Sequence, residues 1–109
     1  MIPFKSILRF LFNTLKENSM ARILRLVLDV LKPRHPSALE FAKAVAGRGE
    51  GGCHVKLTVE EVDEKTESII LVVEGQAIDF DAIAEAINDL GGSLHSIDEV
   101  EVDGRETAG

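Results

Sequence analysis

Tryptophan and tyrosine are absent from this 109-residue chain, and its only aromatics are five phenylalanines. Stacking platforms for single-stranded nucleic acid are therefore scarce. There is one cysteine, Cys53. It cannot close an internal disulfide, and without a CxxC pair the thiolate spacing of a metal chaperone is missing. A reducing cytoplasm is the expected setting. Positive charge is short as well. Against 12 Lys and Arg stand 19 Asp and Glu, a formal charge of −7. A phosphate backbone is repelled on average, so no nucleic acid is expected among the partners. Long apolar runs are lacking too. Arg9 interrupts the one at the N-terminus, which excludes a membrane span, and no small-residue cleavage site follows it. What remains is an apolar fraction of 45%, enough for the core of one domain.

Residues 1–19, MIPFKSILRFLFNTLKENS, have a helical period. Ile7, Leu8, Leu11, Phe12 and Leu15 fall on one side; Lys5, Arg9, Asn13 and Lys16 fall on the other. The stretch is basic where the rest is acidic, which marks it as a separate piece. Three readings are open: an extension upstream of a start at Met20, a helix docked on the domain or a second subunit, or a helix lying on a membrane surface. The expected organisation is an amphipathic extension over 1–19, a domain over 20–105 and a frayed tail over 106–109.

From residue 20 onward the periodicity changes in a regular order. Residues 23–32 read as a strand rich in Val, Leu and Ile. Pro33 and Pro36 stop it. Ser37 and Glu40 stand at capping-box spacing before a helix whose stripe is read as Leu39, Ala42, Val45 and Ala46, ending at Gly47. The glycines of GRGEGG leave a helix and enter a strand, the reverse of a phosphate loop, so they read as a connection. Residues 53–62 alternate Val55, Leu57 and Val59 with polar residues. DEKT is a hairpin turn into a third strand over 68–74, apolar on both faces. Asp79 caps a second helix over 80–90, with Ile83, Ile87 and Leu90 inward, and a fourth strand covers 94–102. Strand, helix, strand, strand, helix, strand is the split βαβ order. It predicts an α+β, ferredoxin-like fold: a four-stranded antiparallel sheet with both helices on one face and the first and third strands central.

Asp29 breaks the apolar run RLVLDVLK. Leu26, Leu28 and Val30 share one parity; Val27, Asp29 and Leu31 share the other, which is assigned to the face without helices. That face is too apolar for one meeting only water, whether the third strand contributes Ile70 and Val72 or Ile69, Leu71 and Val73. Such a face marks an interface. A carboxylate buried there by assembly needs a partner: Arg25, Lys32, a histidine or a cation. The fourth strand, expected beside the first, carries His95, Asp98 and Glu99. Asp29, His95 and Asp98 are the candidate ligands of a divalent metal ion, since mixed carboxylate and imidazole donors suit zinc, manganese or nickel. His95 and Asp98 take opposite faces of an unbroken strand, so both bind one ion only if a bulge or strand end intervenes. The competing reading is an Asp–His pair at an interface. His35 reads as a turn residue, His54 as solvated, Cys53 as an ordinary strand residue, and EEVDEKTE as a soluble acidic hairpin.

Taken together, RLVLDVLKPRHPSALEFA, VKLTVEEVDEKTESIILVVEG, IDFDAIAEAINDLGG and HSIDEVEVDG resemble the archaeal family called domain of unknown function 211. The resemblance covers about residues 21–105. It implies a ferredoxin-like fold, a cytoplasmic archaeal setting and a ring-like or otherwise multimeric assembly, with no established activity. A sensor role follows only by analogy with ACT-like modules. Asp29, His35, His95, Asp98 and Glu99 fall on motif positions, whereas GRGEGGC departs from the family pattern. The expected function is a non-enzymatic homo-oligomeric module that binds a metal ion or small ligand at a subunit junction; the alternative is a structural or protein-interaction module without a ligand.

Overall fold

The computed structural model describes residues 21–49 and 51–105. The amphipathic stretch 1–19 and the tail 106–109 lie outside the described residues, as does Glu50. The elements are β1 (Arg22–Pro33), α1 (Ala38–Ala46), β2 (His54–Val62), β3 (Thr66–Glu74), α2 (Phe80–Asp89) and β4 (Ser93–Asp103). The strands pair antiparallel in the order β2-β3-β1-β4. This is the expected βαββαβ arrangement, with β1 and β3 central.

Parity decides which side chains are buried. Leu26, Leu28 and Val30 from β1 and Ile69, Leu71 and Val73 from β3 form one face of the sheet and are sealed by the helices. Burying each contributes about 1.5–3 kcal/mol. The choice left open for β3 is thereby settled: Ile70 and Val72 point away from the helices. The α1 stripe is corrected. Phe41 and Val45, one turn apart, are the buried residues, and Leu39 is 67% exposed. Two overlapping stripes were available in ALEFAKAVA, and the one that buries a phenylalanine removes more apolar area from water. Ser37 caps α1 as expected, accepting from the Glu40 N–H at 3.2 Å. Asp79 does the same for α2, accepting from Ala82 N–H at 3.1 Å. Val59 is also corrected. It stands opposite buried Ile69, yet on this edge strand, just before a register shift between Val59 and Glu61, it is 38% exposed. After α1 the glycine-rich connection reverses tightly. Gly52 has φ +67°, and a Cβ there would lie 3.0 Å from the Ala46 carbonyl oxygen, so glycine is required.

The helices do not reach β4 evenly. Ile97 pairs with Leu28 and Val100 with Leu26, which places both on the helix side. Ile97, Val100 and Val102 are nevertheless about half exposed, forming an apolar strip at the sheet's edge.

The far end of β4 is closed by charge. Asp103 accepts from the Arg105 backbone N–H at 2.9 Å and from its guanidinium at 3.0 Å, with Arg22 at 3.5 Å. The Arg105 side-chain hydrogen bonds are the main cause that holds the Asp103 carboxyl down to about 2 from an ordinary 3.8. A depressed carboxyl stabilises the fold above its unfolded value, and that contribution is lost as pH falls through 3.8 towards 2. Arg105→Gln should move the Asp103 midpoint back towards 3.8 in an NMR titration. An unmoved midpoint would assign the depression to another group.

Candidate functional site

The face of the sheet opposite the helices is read directly from the register. One row across it is Thr58, Ile70, Asp29 and Ser96; the next is Lys56, Val72, Val27 and Glu99. Arg25 lies two positions further along β1. Its Nε donates to Glu99 at 2.8 Å, and its Nη1 lies 3.3 Å from Glu74. The row beyond Asp29 holds Leu31 and Ser68. Val27, Leu31, Ile70 and Val72 thus form a continuous apolar patch around one carboxylate. All but Leu31 are half-buried, although no element among the described residues covers them; Leu31 is 38% exposed.

The Asp29 side chain has no hydrogen bond or ion pair among the described residues. Two of its anticipated partners are taken. Arg25 is held between Glu74 and Glu99. Lys32 belongs to the opposite parity and is fully buried on the helix side. On the Asp29 face, Lys56 has no carboxylate partner among the described residues.

β4 carries the irregularities that a shared role for His95 and Asp98 requires. Its register against β1 skips His95, between Leu94 and Ser96, and Asp98, between Ile97 and Glu99. Each bulge turns a side chain away from simple alternation. Asp98 accepts from Ser96 Oγ at 2.7 Å, and Ser96 stands opposite Asp29. Yet among the described residues no group of three or more His, Cys, Asp or Glu side chains is placed to hold a metal ion. Asp29, His95 and Asp98 therefore do not form a ligand set within the described chain. An expected Asp–His pair is not formed either: His95 has no side-chain hydrogen bond or ion pair among the described residues and is exposed.

A family model described as DUF211, uncharacterised ArCR, matches residues 24–107. The chain belongs to this family. An uncharacterised protein of Methanocaldococcus jannaschii is 45% identical over 82 residues, covering 74% of this chain and 82% of that relative. The matched span of this DUF211 chain holds Asp29, His35, His95, Asp98 and Glu99, which lie within the stretches that carry the resemblance. The family's description assigns it no activity.

Cys53 precedes β2, with its Sγ 3.9 Å from the Ala46 carbonyl oxygen. Burial pushes its thiol up from its ordinary value, so it is held in the form that is neither nucleophile nor metal ligand. His35 and His54 are exposed.

Lys32, offered from sequence as a partner for Asp29, lies elsewhere. It continues the buried parity of Leu26, Leu28 and Val30, and its ammonium sits 2.6 Å from Glu67 Oε1 and 5.9 Å from the centre of the Phe41 ring. It also donates to the carbonyl oxygens of Pro33, at 2.7 Å, and Pro36. The signal was present in the parity, and Lys32 faces Glu67 in the register. Without that register nothing in the sequence names the carboxylate that makes burial tolerable.

Proposed function

We propose that this DUF211 chain is a non-enzymatic module that assembles with copies of itself through the open face of its sheet, in a reducing cytoplasm. The observation that carries this reading is the patch of Val27, Leu31, Ile70 and Val72 around a carboxylate without a partner. A face that met only water would alternate apolar with polar residues along every strand. An apolar patch rimmed by Lys56, Arg25, Glu99 and Thr58 has instead the anatomy of an interface.

A two-fold contact supplies what the single chain lacks. In such an interface residue i of one copy meets residue j of the other, and j meets i. Asp29 and Lys56 are opposite charges near the middle of this face, each without a partner among the described residues; Glu61 and Glu101, also unpaired, lie towards its ends. Asp29 and Lys56 stand on adjacent rows, two strands apart. Face-to-face packing sets the Asp29 carboxylate of one copy against the Lys56 ammonium of the other, twice. A charge pair of this kind fixes register more than it adds affinity. A divalent ion at the same junction, held by Asp29 with His95 and Asp98 from the two copies, is the ligand-binding form of this reading.

A charge exchange tests the pairing. Asp29→Lys alone and Lys56→Asp alone each place like charges face to face and should weaken association at least ten-fold by analytical ultracentrifugation. The double variant should restore it. Non-rescue, with both single variants folded, would contradict the pairing. Asp29→Asn examined with and without chelator separates the ionic forms. If a metal holds the junction, chelator dissociates the wild type and has no further effect on Asp29→Asn. If Lys56 holds it, chelator changes neither protein.

A further inference from the structure

The loop between β1 and α1 is held from beneath by a charge. Lys32 is fully buried, and its ammonium reaches the carbonyl oxygens of Pro33 at 2.7 Å, Arg34 at 3.4 Å, and Pro36. Glu67 compensates it at 2.6 Å. A second tether comes from the β2–β3 turn, where the Arg34 N–H donates to the Lys65 carbonyl at 3.2 Å. This loop is thus fixed through its backbone. The side chains of Arg34 and His35 are exposed.

Those side chains line an open cleft of about 580 Å³ at the end of the sheet, together with Pro33, Glu64 and Lys65. Of the Lys and Arg among the described residues, Arg34, Lys56 and Lys65 form no ion pair, although the chain carries 19 carboxylates. Two of these three cations flank this one cleft. Arg34 is oriented besides: its Nη1 donates to the Asp63 carbonyl at 3.1 Å. That bond leaves the other donors of the guanidinium fork free.

We propose that this cleft is a binding site for a small anion, a phosphate or carboxylate group carried by a free solute, gripped by Arg34 with Lys65 and His35 beside it. A guanidinium on a fixed backbone loses little freedom when it forms a bidentate bond to such a group. Glu64 on the wall and a net charge of −7 disfavour a polyanion, so the ligand is a small one rather than a nucleic acid strand. This inference concerns the opposite end of β1 from Arg25 and does not rest on the assembly through the open face.

The test is a titration of the ¹⁵N-labelled full chain with inorganic phosphate at constant ionic strength. Saturable shifts should be confined to the amides of residues 34, 35, 64 and 65 and their neighbours, with a Kd of about 1 mM. Arg34→Gln should weaken binding at least ten-fold with the rest of the spectrum unchanged. Lys43→Gln, which removes an exposed cation outside both the cleft and the open face, should leave the affinity as it was. Shifts that do not saturate, that spread over the surface, or that weaken equally in both variants would overturn the proposal. So would flotation with vesicles containing phosphatidic acid in the absence of any response to free phosphate, because the phosphate would then be read on a lipid surface.

Discussion

Replacing Lys32 by methionine should destabilise the protein by about 3–5 kcal/mol, the ordinary effect of breaking a buried ion pair. Methionine fills a similar volume, so the loss is not one of packing. It removes the ammonium that holds three carbonyl oxygens of the β1–α1 loop, and it leaves Glu67 without its counter-charge at a side chain only 14% exposed. Unsatisfied buried acceptors and an unpaired buried carboxylate are each costly. Adding Glu67→Gln to Lys32→Met removes the lone charge, so the double variant should be more stable than Lys32→Met alone. Chemical denaturation of the four proteins of the cycle measures this directly. A change within about 0.5 kcal/mol for Lys32→Met would place the side chain in solvent and contradict its burial.

The second large effect is expected at Val72. It stands between Lys56 and Val27 in the middle of the open face. Val72→Glu puts a charge at the centre of the apolar patch. In the single chain this change should be tolerated, because no element among the described residues covers the site. In the assembly it buries an uncompensated carboxylate and should reduce the oligomer to subunits at micromolar concentration, with the melting transition of the subunit still cooperative. Val100→Glu is the control. Val100 is more exposed but belongs to the strip at the edge of β4, on the helix side. It should leave the mass unchanged. Dissociation by Val100→Glu and not by Val72→Glu would move the contact from the open face to the edge strip.

The two variants illustrate what the sequence discloses and what it does not. Strand parity was legible: residues 26, 28 and 30 had to share a face, and the helix periods had to cover it. The order of elements then left one arrangement of strands, and the register places Asp29 on the open face as the alternation required. Where periodicity allowed two answers, a physical comparison was missing. Ile69, Leu71 and Val73 are as apolar as Ile70 and Val72, and only the pairing of Asp29 with Ile70 sorts them. Leu39 and Phe41 both offered a stripe, and the larger side chain went inward. Lys32 was misplaced because it was offered as a partner for Asp29, although its own parity follows Val30 to the helix side. Its burial depends on Glu67, 35 residues away, and on carbonyls supplied by a turn. The bulges that displace His95 and Asp98 have no sequence signal at all, since neither proline nor glycine marks them. The family match spans these residues and adds no chemistry for them.

The central claim is self-association through the open sheet face, and the mass in solution tests it most directly. Sedimentation equilibrium of the full chain at micromolar concentration should give a multiple of 11.9 kDa. The same run on Val72→Glu should give 11.9 kDa. A wild-type chain that sediments as a single subunit would contradict the account.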